Sequence, residues 1–194
     1  MGAIPAGRRG LFCAACAERF YEGYAHWFPL EGKGAAAIPV PALLRDAIDI
    51  CWQSSSAPDE LARVAEQVRE ATEMEAQVRF SSDLSLYNVA VWIVLEALDF
   101  GVDLEPEHML RSSGFALDFH LQLLDAQRGW TGRSSDADAS VVAFETDIGV
   151  VAEAERQVAE AEALSKATID VVALKAASAA HGRRVLQEIL EAMG

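Results

Sequence analysis

The sequence predicts an all-α protein, a bundle of about six to seven helices with a long amphipathic helix near its C-terminus. Three observations support this fold class. Apolar residues recur at steps of three or four in every apolar segment, which is helical spacing. No segment alternates apolar and polar residues with the period of two that a strand shows. Residues 138–193 contain no proline and only two glycines, Gly149 and Gly182.

Two helices are predicted in the first quarter of the chain. The first covers residues 10–28, with an apolar stripe on one side and Glu18 and Arg19 mainly on the other. The second begins near Pro41, a residue suited to the first turn of a helix.

Three more helices follow before the long one. The third begins at Pro58, where two acidic residues are placed to interact with the positive end of the helix dipole. The fourth ends near residue 100 and is apolar nearly all round, so we expect it at the centre of the bundle. The fifth begins at Pro106.

The long helical segment, residues 138–193, is predicted to be one helix or two nearly collinear helices. Its apolar stripe comprises Val141, Phe144, Ile148, Val151, Ala154, Val158, Ala161 and Leu164. A helix of about 40 residues would be about 60 Å long, more than the 35–40 Å or so across a single domain of this size. It therefore bends near Ser165 or Gly182, or its end packs on a second copy, which predicts a homodimer.

Composition limits the class of protein. The 194 residues fit one domain, residues 1–194, and 52% of them are hydrophobic. Acidic residues outnumber basic ones 30 to 16, for a net charge of −14. Such a chain repels nucleic acid and attracts basic partners. An odd count of three cysteines, no secretory signal and no membrane-spanning segment predict a cytoplasmic protein.

The metal-like and redox-like motifs of the sequence are incomplete. Cys13 and Cys16 have the spacing of a zinc or redox pair, but no second ligand pair and no preceding strand accompany them, so they are interpreted as small residues of a packed helix. Glu105-x-x-His108 is half of a di-iron motif. The acidic run that begins at Asp136 lacks the glycine of a calcium loop.

No combination of residues in the sequence amounts to a catalytic site. The glycine-rich phosphate loop, the nucleophile elbow and the zinc-protease motif are all missing. We therefore expect that the protein is not an enzyme and that it needs no cofactor or metal.

The C-terminal half carries an acidic block with two interpretations. Eight acidic residues lie between Ser134 and Ala163, and only Arg156 opposes them. They form either a solvated face or a docking surface for a basic protein. The candidate partner-binding residues are Glu153, Glu155, Glu160 and Glu162, with Trp130 as an exposed anchor in a loop.

Two segments resemble the YjaG-like family, bacterial proteins of unknown function. The first is Cys16-Ala-Glu18-Arg19 followed by Tyr24, and the second is Arg45-x-x-Ile48-Asp49-Ile50-x-Trp52. The resemblance implies an all-α fold and a homodimer, and it implies no enzymatic activity.

The residues behind this resemblance also have a physical interpretation. Arg45 and Asp49 are four apart on the second helix and Trp52 is three further on, so their side chains share one stripe. Glu18 and Arg19 are the corresponding charges on the first helix. The five residues form either a charged network that clamps two helices together or a ligand site.

The function predicted from the sequence is therefore protein–protein interaction by an acidic helical bundle. A specific version is an immunity or antitoxin protein that neutralises a basic toxin. The alternative is a regulatory bundle that binds a small ligand or a metal in a cavity between helices.

Overall fold

The computed structural model describes residues 4–31, 40–53, 57–78, 84–127 and 148–193. Within these ranges every regular element is helical, so the predicted all-α bundle is confirmed. A short 3-10 turn at Ala6–Arg8 precedes the first helix. The helices are α1 (Arg9–Glu31), α2 (Val40–Cys51), α3 (Pro58–Val78), α4 (Leu84–Asp103), α5 (Pro106–Gln127), α6 (Ile148–Ser165) and α7 (Val171–Met193).

Helix α1 lies at the centre of the bundle and packs against α2, α4, α5, α6 and α7. It is buried without interruption from Leu11 to Phe20, and small residues at 13–17 let its neighbours approach closely. The prediction that Glu18 and Arg19 lie on an outer side is wrong, because they are only 4% and 2% exposed. Helices cover α1 on all sides here, so its charged residues must find partners inside the protein.

Helix α4 is the second buried helix, as its apolar sequence predicts. It packs against α1, α3 and α5, and Ile93 and Leu98 are completely buried. Trp92 of this helix is 45% exposed beside Phe115, and Val102 near its end is 37% exposed. Across the described ranges, no helix combines the length and the hydropathy that crossing a membrane would require.

The C-terminal segment is two helices that are not collinear, so the bend predicted near Ser165 is present, and the alternatives of one continuous helix or two collinear helices are wrong. Helix α6 ends at Ser165 and α7 begins at Val171. Ser178 of α7 reaches Glu160, and His181, further along α7, reaches back to Glu153. The chain therefore reverses between the two helices, and the length argument for a second subunit no longer holds. Residues 138–147 lie outside the described ranges.

Polar groups on both sides of the break explain the reversal. The Asp170 carboxylate accepts a hydrogen bond of 2.9 Å from the Ala173 amide, which caps the start of α7. Arg8 donates to the carbonyls of Leu164, Lys166 and Ala167 at the end of α6. These carbonyls have no partner within the helix, so a cation from the N-terminal turn stabilises the stop.

Candidate functional site

Two consecutive residues of α1 lie in two separate ion networks. Glu18 faces α2, where Arg45 donates to both carboxylate oxygens at 2.8 and 2.7 Å. The Trp52 indole donates to the same carboxylate at 2.9 Å. Asp49 accepts from Arg45 at 2.7 Å and from Lys175 of α7 at 2.6 Å. This first network joins α1, α2 and α7.

The first network is half-buried and lies at the edge of the bundle. Burial alone would raise the pKa of Asp49, but Lys175 and Arg45 lower it below its ordinary value. Arg45 also lies 4.9 Å from the centre of the Tyr21 ring. Every charge is paired across helices, as expected for a clamp rather than for a ligand site. Four of the five residues predicted together meet here, and Arg19 does not.

Arg19 forms the second network, which is wholly buried between α1, α6 and α7. One guanidinium nitrogen donates to Glu153 at 2.7 Å and another contacts Glu160. The three side chains are at most 1% exposed. Gln157 donates to Glu153 at 3.0 Å and Ser178 donates to Glu160 at 3.0 Å. A guanidinium that bridges two carboxylates in a dry interior fixes α6 against α1.

In this buried centre, the charged and polar groups around Glu153 lower the pKa of its carboxyl group. Burial alone would raise the pKa of Glu153, but Arg19, with His181 and Gln157, lowers it from 4.5 to about 2. His181 Nε2 lies 3.7 Å from Glu153, an electrostatic contact that is too long for a hydrogen bond. Arg184 lies 2.7 Å from the other ring nitrogen of His181, Nδ1. Glu153 therefore favours its ionised form, and both carboxylates are bonded to protein partners.

The structure separates the four glutamates of the acidic block. Glu153 and Glu160 are 0% and 1% exposed, so the prediction that they lie on an exposed docking face is wrong. Arg19 holds them inside the protein, which is why they face inward. Glu155 and Glu162 are exposed. Trp130 lies outside the described residues, as do the acids of the block before Ile148.

Part of the apolar stripe predicted on α6 is exposed, whereas its last residue, Leu164, is completely buried. Val151 and Val158, part of the predicted apolar stripe, are each 40% exposed. We define the outer stripe of α6 as these two valines with Ala154, Glu155 and Glu162, all of which are exposed. Between Val150 and Leu164 the buried residues of α6 are polar: Arg19 bonds to Glu153 and Glu160, and Gln157 donates to Glu153. Within the described part of the chain, Glu155 and Glu162 have no ion pair.

The cysteines of α1 are inert at neutral pH. Burial raises the pKa of Cys16 to about 12 and that of Cys13 well above its ordinary value. Arg19 donates to the Cys16 sulfur at 3.2 Å, and both thiols are free. A protonated thiol without access to solvent is a poor nucleophile and a poor metal ligand. Among the described side chains, no group of three is arranged to hold a metal ion.

A surface cluster that the sequence does not predict surrounds His108. Its two ring nitrogens lie 2.6 Å from Glu96 and 3.0 Å from Asp103, while Arg111 donates to Glu96 at 2.9 Å. Burial alone would lower the pKa of His108, but Glu96 and Asp103 raise it above its ordinary value. The cluster ties the end of α4 to the start of α5. Residue spacing offered no signal for it, because Glu96 and His108 lie on different helices.

No protein-family model, no curated protein and no solved structure matches this chain. The resemblance to the YjaG-like family therefore stays a prediction from the quoted segments.

Proposed function

We propose that this protein acts by binding another protein, that the partner is basic, and that no catalysis is involved. The observation that supports this most is the outer stripe of α6. Two valines are each 40% exposed there beside two glutamates without a described ion pair. Exposed β-branched residues next to unneutralised charge are typical of a surface that a partner covers.

The net charge of −14 supports the choice of partner. A strongly acidic surface accelerates encounter with a cationic protein and disfavours acidic competitors. An immunity or antitoxin protein that neutralises a basic toxin is the specific form of this proposal. The buried Arg19 centre and the Glu18–Arg45 network supply the scaffold, since their charges are already paired within the protein.

A pull-down from a lysate of the native host tests the proposal when two charge-reversal variants accompany the wild type. E155K/E162K changes the outer stripe. E66K/E70K makes the same change in net charge on the exposed face of α3, away from the stripe. We expect wild type and E66K/E70K to retain one stoichiometric basic partner at low salt, and E155K/E162K to lose it.

Two results would contradict the proposal. If both variants lose the partner equally, overall charge is responsible and the outer stripe has no special role. If the captured protein is acidic, or if none is captured in stoichiometric amount, the proposed kind of partner is wrong. Light scattering on the same preparations tests the predicted homodimer, because it distinguishes the mass of one chain from that of two.

A further inference from the structure

The outer stripe of α6 has a seven-residue repeat. Val151 and Val158 are seven apart, and so are Glu155 and Glu162. Seven residues make nearly two helical turns, so each pair points to the same side, and the two members of a pair are about 10.5 Å apart along the axis. A second helix that crosses α6 at a small angle meets such positions in succession.

The spacing and the size of the side chains both favour a helix as the occupant. A strand presents one face every 6.6 to 6.8 Å or so, which does not match a repeat of about 10.5 Å. Ala152, Ala154 and Ala159 are exposed around the valines. Their small side chains let a neighbouring backbone approach to the 8–10 Å or so that packed helices require.

The charge of the outer stripe indicates whether the second helix belongs to a partner or to another copy of this chain. In a twofold dimer the same surface meets itself, so the glutamates of one copy would lie near those of the other. Like charges in that position are destabilising, and Glu155 and Glu162 form no ion pair with any described residue. Arg156, their neighbour in sequence, donates to the buried Glu160 instead. The stripe is therefore complementary to a basic helix and not to a second copy.

From this geometry we propose that the outer stripe of α6 binds an α-helix of the partner. That helix places apolar residues against Val151 and Val158, and lysine or arginine residues, seven positions apart, against Glu155 and Glu162. The inference rests on the proposed function and specifies what kind of segment the basic partner presents.

Two synthetic helical peptides of about 21 residues, three heptads, test this inference with the full-length protein. Both carry leucines at one face, and they differ only in the flanking residues, which are lysine in the basic probe and glutamate in the acidic probe. Calorimetry measures affinity, and methyl resonances of Val151 and Val158 report the location. We expect the basic probe to shift both methyl groups and to bind about tenfold more tightly than the acidic probe.

Charge reversal supplies the decisive comparison. E155K/E162K should exchange the preference, with the acidic probe now about tenfold tighter, whereas E66K/E70K should keep the wild-type preference. If the basic probe binds E155K/E162K as tightly as wild type, the inference is overturned. It is also overturned if a stable dimer forms that V151E/V158E dissociates, because a second copy then occupies the stripe.

The peptide and lysate experiments fail in distinguishable ways. If neither probe binds but the lysate partner is still lost in E155K/E162K, the partner uses something other than a helix, and only the present inference fails. If neither probe binds and the lysate yields no basic partner, the proposed function fails with it.

Discussion

The two faces of α6 carry the same residue type in opposite roles. On the inner face, Glu153 and Glu160 are almost completely buried and hold Arg19. On the outer face, Glu155 and Glu162 are exposed, and no ion pair is described for either. The two sets differ only in their angular position around the helix axis. Position on the helix, and not residue type, therefore decides whether a glutamate stabilises the fold or remains available to a partner.

The energetic consequences of the two positions differ by severalfold. Removing one member of a buried ion pair leaves an uncompensated charge in the interior and costs roughly 3–5 kcal/mol. An exposed charge contributes about 0–1 kcal/mol to stability, whatever it contributes to binding. Variants of the inner face should therefore lower stability, and variants of the outer face should lower partner affinity.

The largest effect is expected from Arg19→Met, which removes the cation shared by Glu153 and Glu160. Two carboxylates then remain buried without their partner, and the free energy of unfolding should fall by roughly 3–5 kcal/mol in urea denaturation. Arg63→Met is the control, because Arg63 is exposed and bonds only to Gln67 among the described residues. If Arg19→Met is as stable as this control, the buried centre does not hold α6 in place.

The second largest effect is expected at low pH, where the protein should lose the stability that Glu153 of the inner face contributes. The folded pKa of Glu153, about 2, lies below its ordinary value of 4.5, so the folded protein binds protons less readily than the unfolded chain. This contribution is present above pH 4.5 or so and is lost as the pH falls toward 2, by roughly 3 kcal/mol. Unfolding free energies measured across this range should fall more steeply for wild type than for Glu153→Gln. Equal slopes would contradict the assignment.

A smaller effect is expected at the point where α7 approaches α1. A Cβ atom on Gly182 would lie 2.1 Å from the Arg19 carbonyl oxygen, so Gly182→Ala must push the two helices apart. We expect a loss of about 1–3 kcal/mol, since overpacking at a backbone contact cannot relax through a side chain. Gly114→Ala on α5 is the matched control, because its Cβ meets nothing within 4 Å and alanine favours a helix. Thermal melting that ranks the two variants in the reverse order would contradict this packing.

The sequence predicted the helices because their periodicity is local. It also predicted most of the first network, since Arg45, Asp49 and Trp52 lie four and three residues apart on one helix face. The partners of Arg19 were not predictable in this way. Glu153 lies 134 residues further along the chain, and the pair exists only because α6 packs on α1.

The inverted orientation of α6 has a related cause. The regular spacing of Val151, Ala154 and Val158 is typical of a buried stripe, yet that stripe is exposed. A regular apolar spacing indicates an amphipathic helix, but it does not show whether that face is buried within the same chain. Arg19 of α1 pairs with Glu153 and Glu160, so the polar face of α6 packs inward. The spacing of residues within α6 does not predict this orientation.

The most direct measurement compares four single substitutions on one helix, E153Q, E155Q, E160Q and E162Q, by urea denaturation at neutral pH. All four remove the same charge and keep nearly the same shape. We expect E153Q and E160Q to lose roughly 3 kcal/mol of unfolding free energy, and E155Q and E162Q to stay within about 0.5 kcal/mol of wild type. Four equal losses, or a larger loss for the outer pair, would contradict the division of α6 into a stabilising inner face and an exposed outer face.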